Sequence, residues 1–371
     1  MRDEEEDGES LESHARSSSS RTEFSFINRI RRQSHSSLVT RHSSLLLGIG
    51  DDAAIIRQAG GRETVITADL LVEDVDFRRA AIPARLLGHK ALAVSLSDIA
   101  AMGARPLWAM LSIGVPVEVW TTSFVDQFYE GFFALADHYR VTLIGGDVSR
   151  TPERIVVDSI VLGETLRGRA VLRSGARPGD HIFVTGTLGG AAAGLRLLER
   201  GAHLDMQEER ARHRGKTKRQ RPTRAAEELM LRQLCPVPRV EWGAALGLER
   251  LATAMIDLSD GLSSDLAHLC EESGVGARLE ASRIPVDPHL ARLPGQLALD
   301  PLLLALHGGE DFELLFTINP RNLRRLPRST KGVPATYIGD VTGRPGRIIL
   351  REGSREWALE PEGFQHFGPA R

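Results

Sequence analysis

The chain is short of cysteine and has no long apolar run, and both shortages narrow what it does. Its 371 residues include two cysteines, Cys235 and Cys270, too few for a disulfide framework and without metal-ligand spacing, which favours a reducing compartment. No stretch approaches the roughly 20 apolar residues that a membrane-spanning helix needs. The start, "MRDEEEDGESLESHARSSSS", lacks a basic opening and an apolar core, so it is not a secretory signal; residues 1–21 read as a disordered acidic, serine-rich tail. A cytoplasmic location is expected. The formal net charge of −2 creates no global field, so neither nucleic acid nor a membrane is expected as a partner.

Other familiar devices are missing too. No fixed-period repeat is visible, and no Ser-His or Cys-His arrangement suggests a covalent nucleophile. The phosphate cradle G-x-x-x-x-G-K-[ST] does not occur: "RGKTK" at 214–218 has Arg210 where the first glycine belongs. The only strongly basic stretch, "EERARHRGKTKRQRPTR" at 208–224, has eight Lys or Arg from position 210 onward but no interleaved aromatics. It reads as part of an exposed insertion over 205–224 rather than an RNA-binding strip.

A chain of this length exceeds what one core usually serves, and two domains are expected. In "EFSFINRIRRQ", Phe24, Ile27 and Ile30 share a helical face, so the folded part begins near residue 22. The segments 64–72 and 154–164 are β-branched and bounded by turn residues, as strands are. Between them, "ARLLGHKALAVSLSDIAAMG" and "VDQFYEGFFALADHY" carry a helical period. The pattern restarts at 173–199 as turn, strand, Gly-rich connection and helix, so the expected domains are 22–165 and 166–371. The alternation is α/β in character.

What the chain does have is carboxylates beside small residues. Asp51 and Asp52 in "GIGDDAAII", Asp69 in "TADLL", Asp98 in "SLSDIAAMGA", Asp147 in "IGGDVSR", Asp257 and Asp260 in "IDLSDGLSSDL", and Glu310 and Asp311 in "HGGEDFELLF" share this character. Several follow or end a strand-like segment, where α/β folds place ligand sites. Singly, each has an ordinary structural use; Asp257, for instance, is placed to cap the helix "SSDLAHLCEES". As a converging set they repel one another unless divalent cations neutralise them. Oxygen-only donors select a hard cation such as Mg2+ over zinc, and Mg2+ commonly accompanies phosphates. "GTLGGAAAG" at 186–194 admits two readings, a phosphate-binding turn or a tight strand-to-helix connection. His89 and His307 read as packing or surface residues, and Lys90 as lying on a solvated helix face.

Taken in order, "GIGDDAAII", "TADLLVEDVDF", "KALAVSLSDIAAMGARP", "LIGGDVSR", "RSGARPGDHIFVTGTLGGAAAGL", "DLSDGLSSDL" and "GGEDFELLF" resemble the motifs of the thiamine-monophosphate kinase family, across roughly residues 22–368. That family shares its plan with aminoimidazole ribonucleotide synthetase, selenophosphate synthetase and a hydrogenase maturation factor. The resemblance implies a two-domain fold of α/β (α+β) class, like that of aminoimidazole ribonucleotide synthetase. In it an N-terminal sheet domain pairs with its mate in a homodimer and is followed by a C-terminal α/β domain. It also implies transfer of the γ-phosphoryl of ATP to thiamine monophosphate, giving thiamine diphosphate, the last step of its synthesis.

Residue by residue, the resemblance assigns several Mg2+ ions to Asp51, Thr67, Asp69, Asp98, Asp147, Asp257 and Asp260, with Asp52 ranked behind Asp51. Asp98, Asp147 and Asp260 stand closest to the chemistry in this assignment. Gly146, Asp147, Arg173 and Ser259 would contact ATP, and Asp76, Glu310 and Phe364 the thiamine side, where an aromatic ring suits a thiazolium cation. Three departures from the family pattern stand out. Ala68 replaces a hydroxyl in "TAD", Ser95 stands where Asn is common, and Asp74 and Asp76 occupy "LVEDVDF" where a histidine two residues after a glycine is usual. An ionised Asp76 repels a substrate phosphate unless a metal intervenes, which leaves two alternatives open: a related ATP-dependent enzyme with another acceptor, or a non-catalytic nucleotide-binding paralogue.

Overall fold

A computed structural model describes residues 23–36, 43–204, 222–293 and 299–366. The acidic tail lies outside these residues, as does the basic insertion up to residue 221. The first helix, α1 (Glu23–Ser36), precedes a six-stranded sheet. Its strands are β1 (Leu45–Leu47), β2 (Ala54–Arg57), β3 (Arg62–Val72), β4 (Arg105–Val115), β5 (Thr142–Arg150) and β6 (Val156–Leu166), in the order β1-β2-β3-β6-β4-β5. All neighbours run antiparallel except β4 and β5.

One face of this sheet is covered by α2 (Ala84–Ala101) and α4 (Phe124–Tyr139), which follow the one-turn helix α3 (Val117–Trp120) in the case of α4. The two long helices approach closely because glycines meet backbone: a Cβ on Gly88 would sit 1.8 Å from the Phe128 carbonyl oxygen, and one on Gly131 1.7 Å from that of Arg85. Among the described residues no helix covers the opposite face. Strand register sets Leu70, Trp108 and Met110 beside half-buried Ile160 and Leu162, and the first three are 57%, 40% and 39% exposed.

The second sheet comprises β7 (His181–Thr185), β8 (Ala252–Asp257), β9 (Gly276–Glu280), β10 (Leu314–Ile318), β11 (Ser329–Thr330), β12 (Val333–Thr342), β13 (Ile348–Glu352) and β14 (Arg355–Ala358). Its order is β14-β13-β9-β12-β7-β10-β8, with β11 paired to β12. Helices α5 (Gly190–Glu199), α6 (Arg224–Leu234), α7 (Val240–Leu248), α8 (Leu262–Ser273) and α9 (Pro301–His307) surround it. The chain thus has a two-domain fold of mixed α/β class. Among the described residues no helix is long and apolar enough to cross a membrane.

Helix α2 lies between the domains, touching β3, β4 and β6 on one side and α7 and β8 on the other. It is therefore buried on almost every face, and Lys90, expected on a solvated face, is 1% exposed. The sequence reading fails here because the second domain covers what would be the polar side of a surface helix. His89 and His307 do have packing roles: His89 Nε2 pairs with the Pro236 carbonyl at 2.7 Å, and His307 Nδ1 with Ser263 Oγ at 2.9 Å.

Candidate active site between the domains

Side chains alternate along a strand, so Thr67 and Asp69 of β3 share the inner face with buried Val65 and Leu71. Asp98 faces them from α2 and accepts a hydrogen bond from the Thr67 hydroxyl. Asp257, the last residue of β8, enters from the second domain and accepts from Ser97 Oγ of α2 at 2.6 Å. With Asp52 these form a tight group: oxygens of Asp52, Asp98 and Asp257 lie within 4.8 Å of one another.

Burial disfavours the ionised form of these acids, and their neighbours add repulsion. Burial pushes the carboxyl of Asp69 up to about 6, with Asp158 and then Asp52 adding to it, and that of Asp257 to about 8, with Asp52 adding most among its neighbours. Asp98 is raised well above the usual range by burial, then by Asp69, Asp257 and Asp52. Two buried oxygens, Asp52 Oδ2 and Asp69 Oδ2, have no hydrogen-bond partner among the described residues. Crowded oxygen donors with unfilled acceptor capacity, and no His or Cys in the group, fit a hard divalent cation.

Arg173 connects the first domain's acids to the second domain. Its guanidinium donates to Asp52 Oδ1 at 2.6 Å, and its backbone N–H reaches the Asp51 carboxylate oxygens at 3.1 and 3.3 Å. Burial, then Asp52, raises the Asp51 carboxyl to about 7. Asp52, ranked behind Asp51 in the sequence, is the one that meets Asp98 and Asp257, while Asp51 holds the Arg173 backbone. The Ser95 hydroxyl lies 3.1 Å from both the carbonyl oxygen and the Oγ of Ser159, and its bond to the Asp69 carboxyl works against the upward shift there.

Other expected residues are placed differently. Asp147 is exposed on edge strand β5, with its Oδ1 accepting from the Val148 N–H at 2.9 Å, and it pairs in register with Ser112, on the bare side of the sheet. Gly146 precedes it with φ 149°. Neither joins the buried acids. Asp257 does not cap α8; Asp265 accepts from the Gly261 and Asp260 amides at 2.9 and 3.2 Å and serves there instead. The amides opening α5, in the "GTLGGAAAG" turn, are also taken: Gly189 and Ala191 donate to Asp311 at 2.6 and 3.0 Å. That settles the turn as a strand-to-helix connection closed by the protein's own carboxylate.

A cavity of about 440 Å³ adjoins the acids. Asp76, Glu310 and Phe364 all line it, together with Ser259 and Asp260, and Asp69 belongs to both the cavity and the buried acidic group. Asp76 accepts from the Val72 N–H at 2.8 Å, and burial raises its carboxyl. Glu310 and Phe312 adopt left-handed φ values of 65° and 49°, uncommon for residues with a Cβ. They are held there by backbone bonds from Glu310 N to Ser259 O at 2.7 Å and from Phe312 N to Leu258 O at 2.9 Å. Phe364 arrives on the C-terminal segment, whose N–H donates to the Asp260 carbonyl at 3.1 Å.

The sequence reading missed the groups that hold Glu310. Lys90 Nζ lies 2.6 Å from Glu310 Oε1, and Gln233 Nε2 donates to Glu310 Oε2. Behind them, buried Glu313 is paired by Arg239 and by Arg232, the latter at 3.1 Å. Lys90 and Gln233 lie 220 and 77 positions from Glu310, and no local motif joins them.

Similarity to known proteins agrees with this geometry. The N-terminal domain model of the AIR synthase related proteins matches residues 50–165 and the C-terminal domain model residues 177–351. Thiamine-monophosphate kinase of Bacillus subtilis (strain 168) is 37% identical over 329 residues, covering 88% of this chain and 95% of that protein. The chain belongs to the thiamine-monophosphate kinase family. The Escherichia coli (strain K12) member is 39% identical over 328 residues, covering 86% of this chain and 92% of its own. The solved structure of AaThiL complexed with AMPPCP and TMP superposes with a TM-score of 0.76 at 31% identity, covering 93% of this chain and 97% of that one. A hydrogenase maturation protein, HypE, shares the fold at 18% identity, with a TM-score of 0.63 and coverage of 86% and 94%.

Proposed function

We propose that this family member transfers the γ-phosphoryl group of ATP to thiamine monophosphate, releasing thiamine diphosphate and ADP. The observation that carries the reading is the adjacency of the two halves of the site: the cavity lined by Asp76, Glu310 and Phe364 shares Asp69 with the buried acids. The solved relative named above holds an ATP analogue and TMP together.

Asp52, Asp69, Asp98 and Asp257, with the Thr67 hydroxyl, would hold Mg2+, with Asp51 beside Asp52 and with Asp260 and Ser259 lining the adjoining cavity. When bound, Mg2+ neutralises phosphate charge and favours attack at phosphorus. Arg173, anchored on Asp51 and Asp52, would contact ATP phosphates. The assignments of Asp147 to metal and ATP, and of Gly146 to ATP, rest on the family resemblance alone. The acceptor oxygen belongs to a phosphate that is already anionic near neutral pH, so no general base is needed. It attacks the γ-phosphorus as the bond to the β-phosphate oxygen breaks, without a phosphoenzyme.

We also place the domain boundary near residue 166 and the working enzyme as a homodimer in the cytoplasm. The bare sheet face bearing Leu70, Trp108 and Met110 supports pairing, since apolar patches of this kind mark interaction surfaces. Two free cysteines, one of them buried Cys270, suit a reducing compartment.

The test is direct: purified protein with ATP, Mg2+ and thiamine monophosphate, with thiamine diphosphate quantified by chromatography. Wild type should form product and Asp98→Asn should not. Binding of Mg-ATP with no thiamine diphosphate would show the acceptor to be wrong.

A further inference from the structure

One residue of the cavity wall carries a buried polar atom that has no partner among the described residues. Gln233, near the end of α6, lines the cavity and is 3% exposed, and its Oε1 makes no hydrogen bond to any described residue. The orientation of the amide is determined by its surroundings. Nε2 donates to Glu310 Oε2, and the other Glu310 oxygen is paired with Lys90 at 2.6 Å. A carboxylate paired in this way only accepts, so turning the amide over would set two acceptors against each other.

The end of α6 is also anchored. Arg232, the preceding residue, donates to the Thr187 carbonyl at 2.6 Å and to Glu313 at 3.1 Å, which limits any swing of Gln233 toward another donor. A buried acceptor without a donor is unfavourable, and such a group in a native protein calls for a completing partner.

We infer that Gln233 recognises the aminopyrimidine ring of the acceptor by accepting a hydrogen bond from its exocyclic amino group. The inference rests on thiamine monophosphate being the acceptor. In that molecule the thiazolium ring has no N–H, and the phosphate acts near neutral pH chiefly as an acceptor. The amino group is the donor that remains. The other polar groups of the wall, Asp76 and Glu310 among them, are mostly carboxylates that suit the cationic ring, whereas a neutral amide oxygen suits a neutral amine.

The experiment compares thiamine monophosphate with oxythiamine monophosphate, which carries a carbonyl oxygen in place of the amine, in wild type and in Gln233→Met. Wild type should use the oxo analogue with kcat/KM about 10- to 100-fold lower, because the analogue sets an acceptor against an acceptor. Gln233→Met should raise KM for thiamine monophosphate about tenfold, keep KM for ATP within about twofold, and shrink the discrimination below about threefold. Equal use of both acceptors by wild type overturns the inference while leaving the proposed reaction intact. So does an unchanged ratio in Gln233→Met. Should that variant fail to fold, the wild-type comparison decides alone. Failure of wild type to phosphorylate either compound overturns the proposed reaction and this inference together.

Discussion

Lys90 and Glu310 form an ion pair of 2.6 Å across the domain boundary, the ammonium 1% exposed on α2 and the carboxylate on the loop before β10. The pair holds a residue of left-handed backbone at the cavity wall. Removing the partner of a buried charge such as the Lys90 ammonium costs more than replacing both, because the survivor is left charged and unpaired. Glu310→Ala should therefore lower stability by about 3 kcal/mol in denaturant unfolding. The double variant Lys90→Met, Glu310→Gln should recover most of that loss. A single-variant cost below about 0.5 kcal/mol would place the pair among interactions of little structural weight.

Asp98→Asn should shift activity and ligand-free stability in opposite directions. The carboxyl of Asp98 is buried beside Asp69, Asp257 and Asp52, so neutralising it relieves repulsion in the metal-free protein while removing a cation ligand. Thermal melts without Mg2+ at pH 8 should show a higher midpoint for Asp98→Asn, and turnover should fall at least about 100-fold. A lower midpoint with intact turnover would contradict the assignment.

The same acids set a pH dependence. Their carboxyls are raised in the folded state, to about 6 for Asp69, about 7 for Asp51 and about 8 for Asp257. The folded protein therefore binds more protons than the unfolded chain between pH 4 and 8. By linkage, their contribution to stability is present below the unfolded carboxyl value near 3.8 and is lost as pH rises through 6 to 8. Metal-free protein should lose melting temperature over that interval, and the gain on adding Mg2+ should grow with pH as protons are displaced. Calorimetry in buffers of different ionisation enthalpy should detect proton release on binding.

The bare sheet face gives an assembly test. Met110→Arg places a charge among Trp108, Ile160 and Leu162, on a surface that folding of one chain leaves uncovered. Light scattering should give twice the chain mass for wild type and a mass near that of one chain for the variant, with the monomer's helical content unchanged. A wild-type monomer would refute the pairing.

Short-range physics made much of this protein readable in advance. Strand alternation around Asp69, the helical period of 84–101, and acids set among small residues at strand ends all depend on neighbours a few positions apart, so the α/β character and a set of candidate acids could be taken from the chain itself. The family motifs ordered those acids into one reaction. Tertiary structure decided which acids meet and what supports them. Asp52 rather than Asp51 closes on Asp98 and Asp257, while Arg173 takes the Asp51 carboxylate with its backbone amide. Asp311, not a ligand phosphate, fills the α5 amides. Lys90 turned from an expected surface charge into a buried cation because α2 is covered from both sides, and Gln233 reached Glu310 from another helix. Periodicity reports the environment one element creates for itself. Burial between domains depends on contacts more than a hundred residues apart, and only the folded chain contains them.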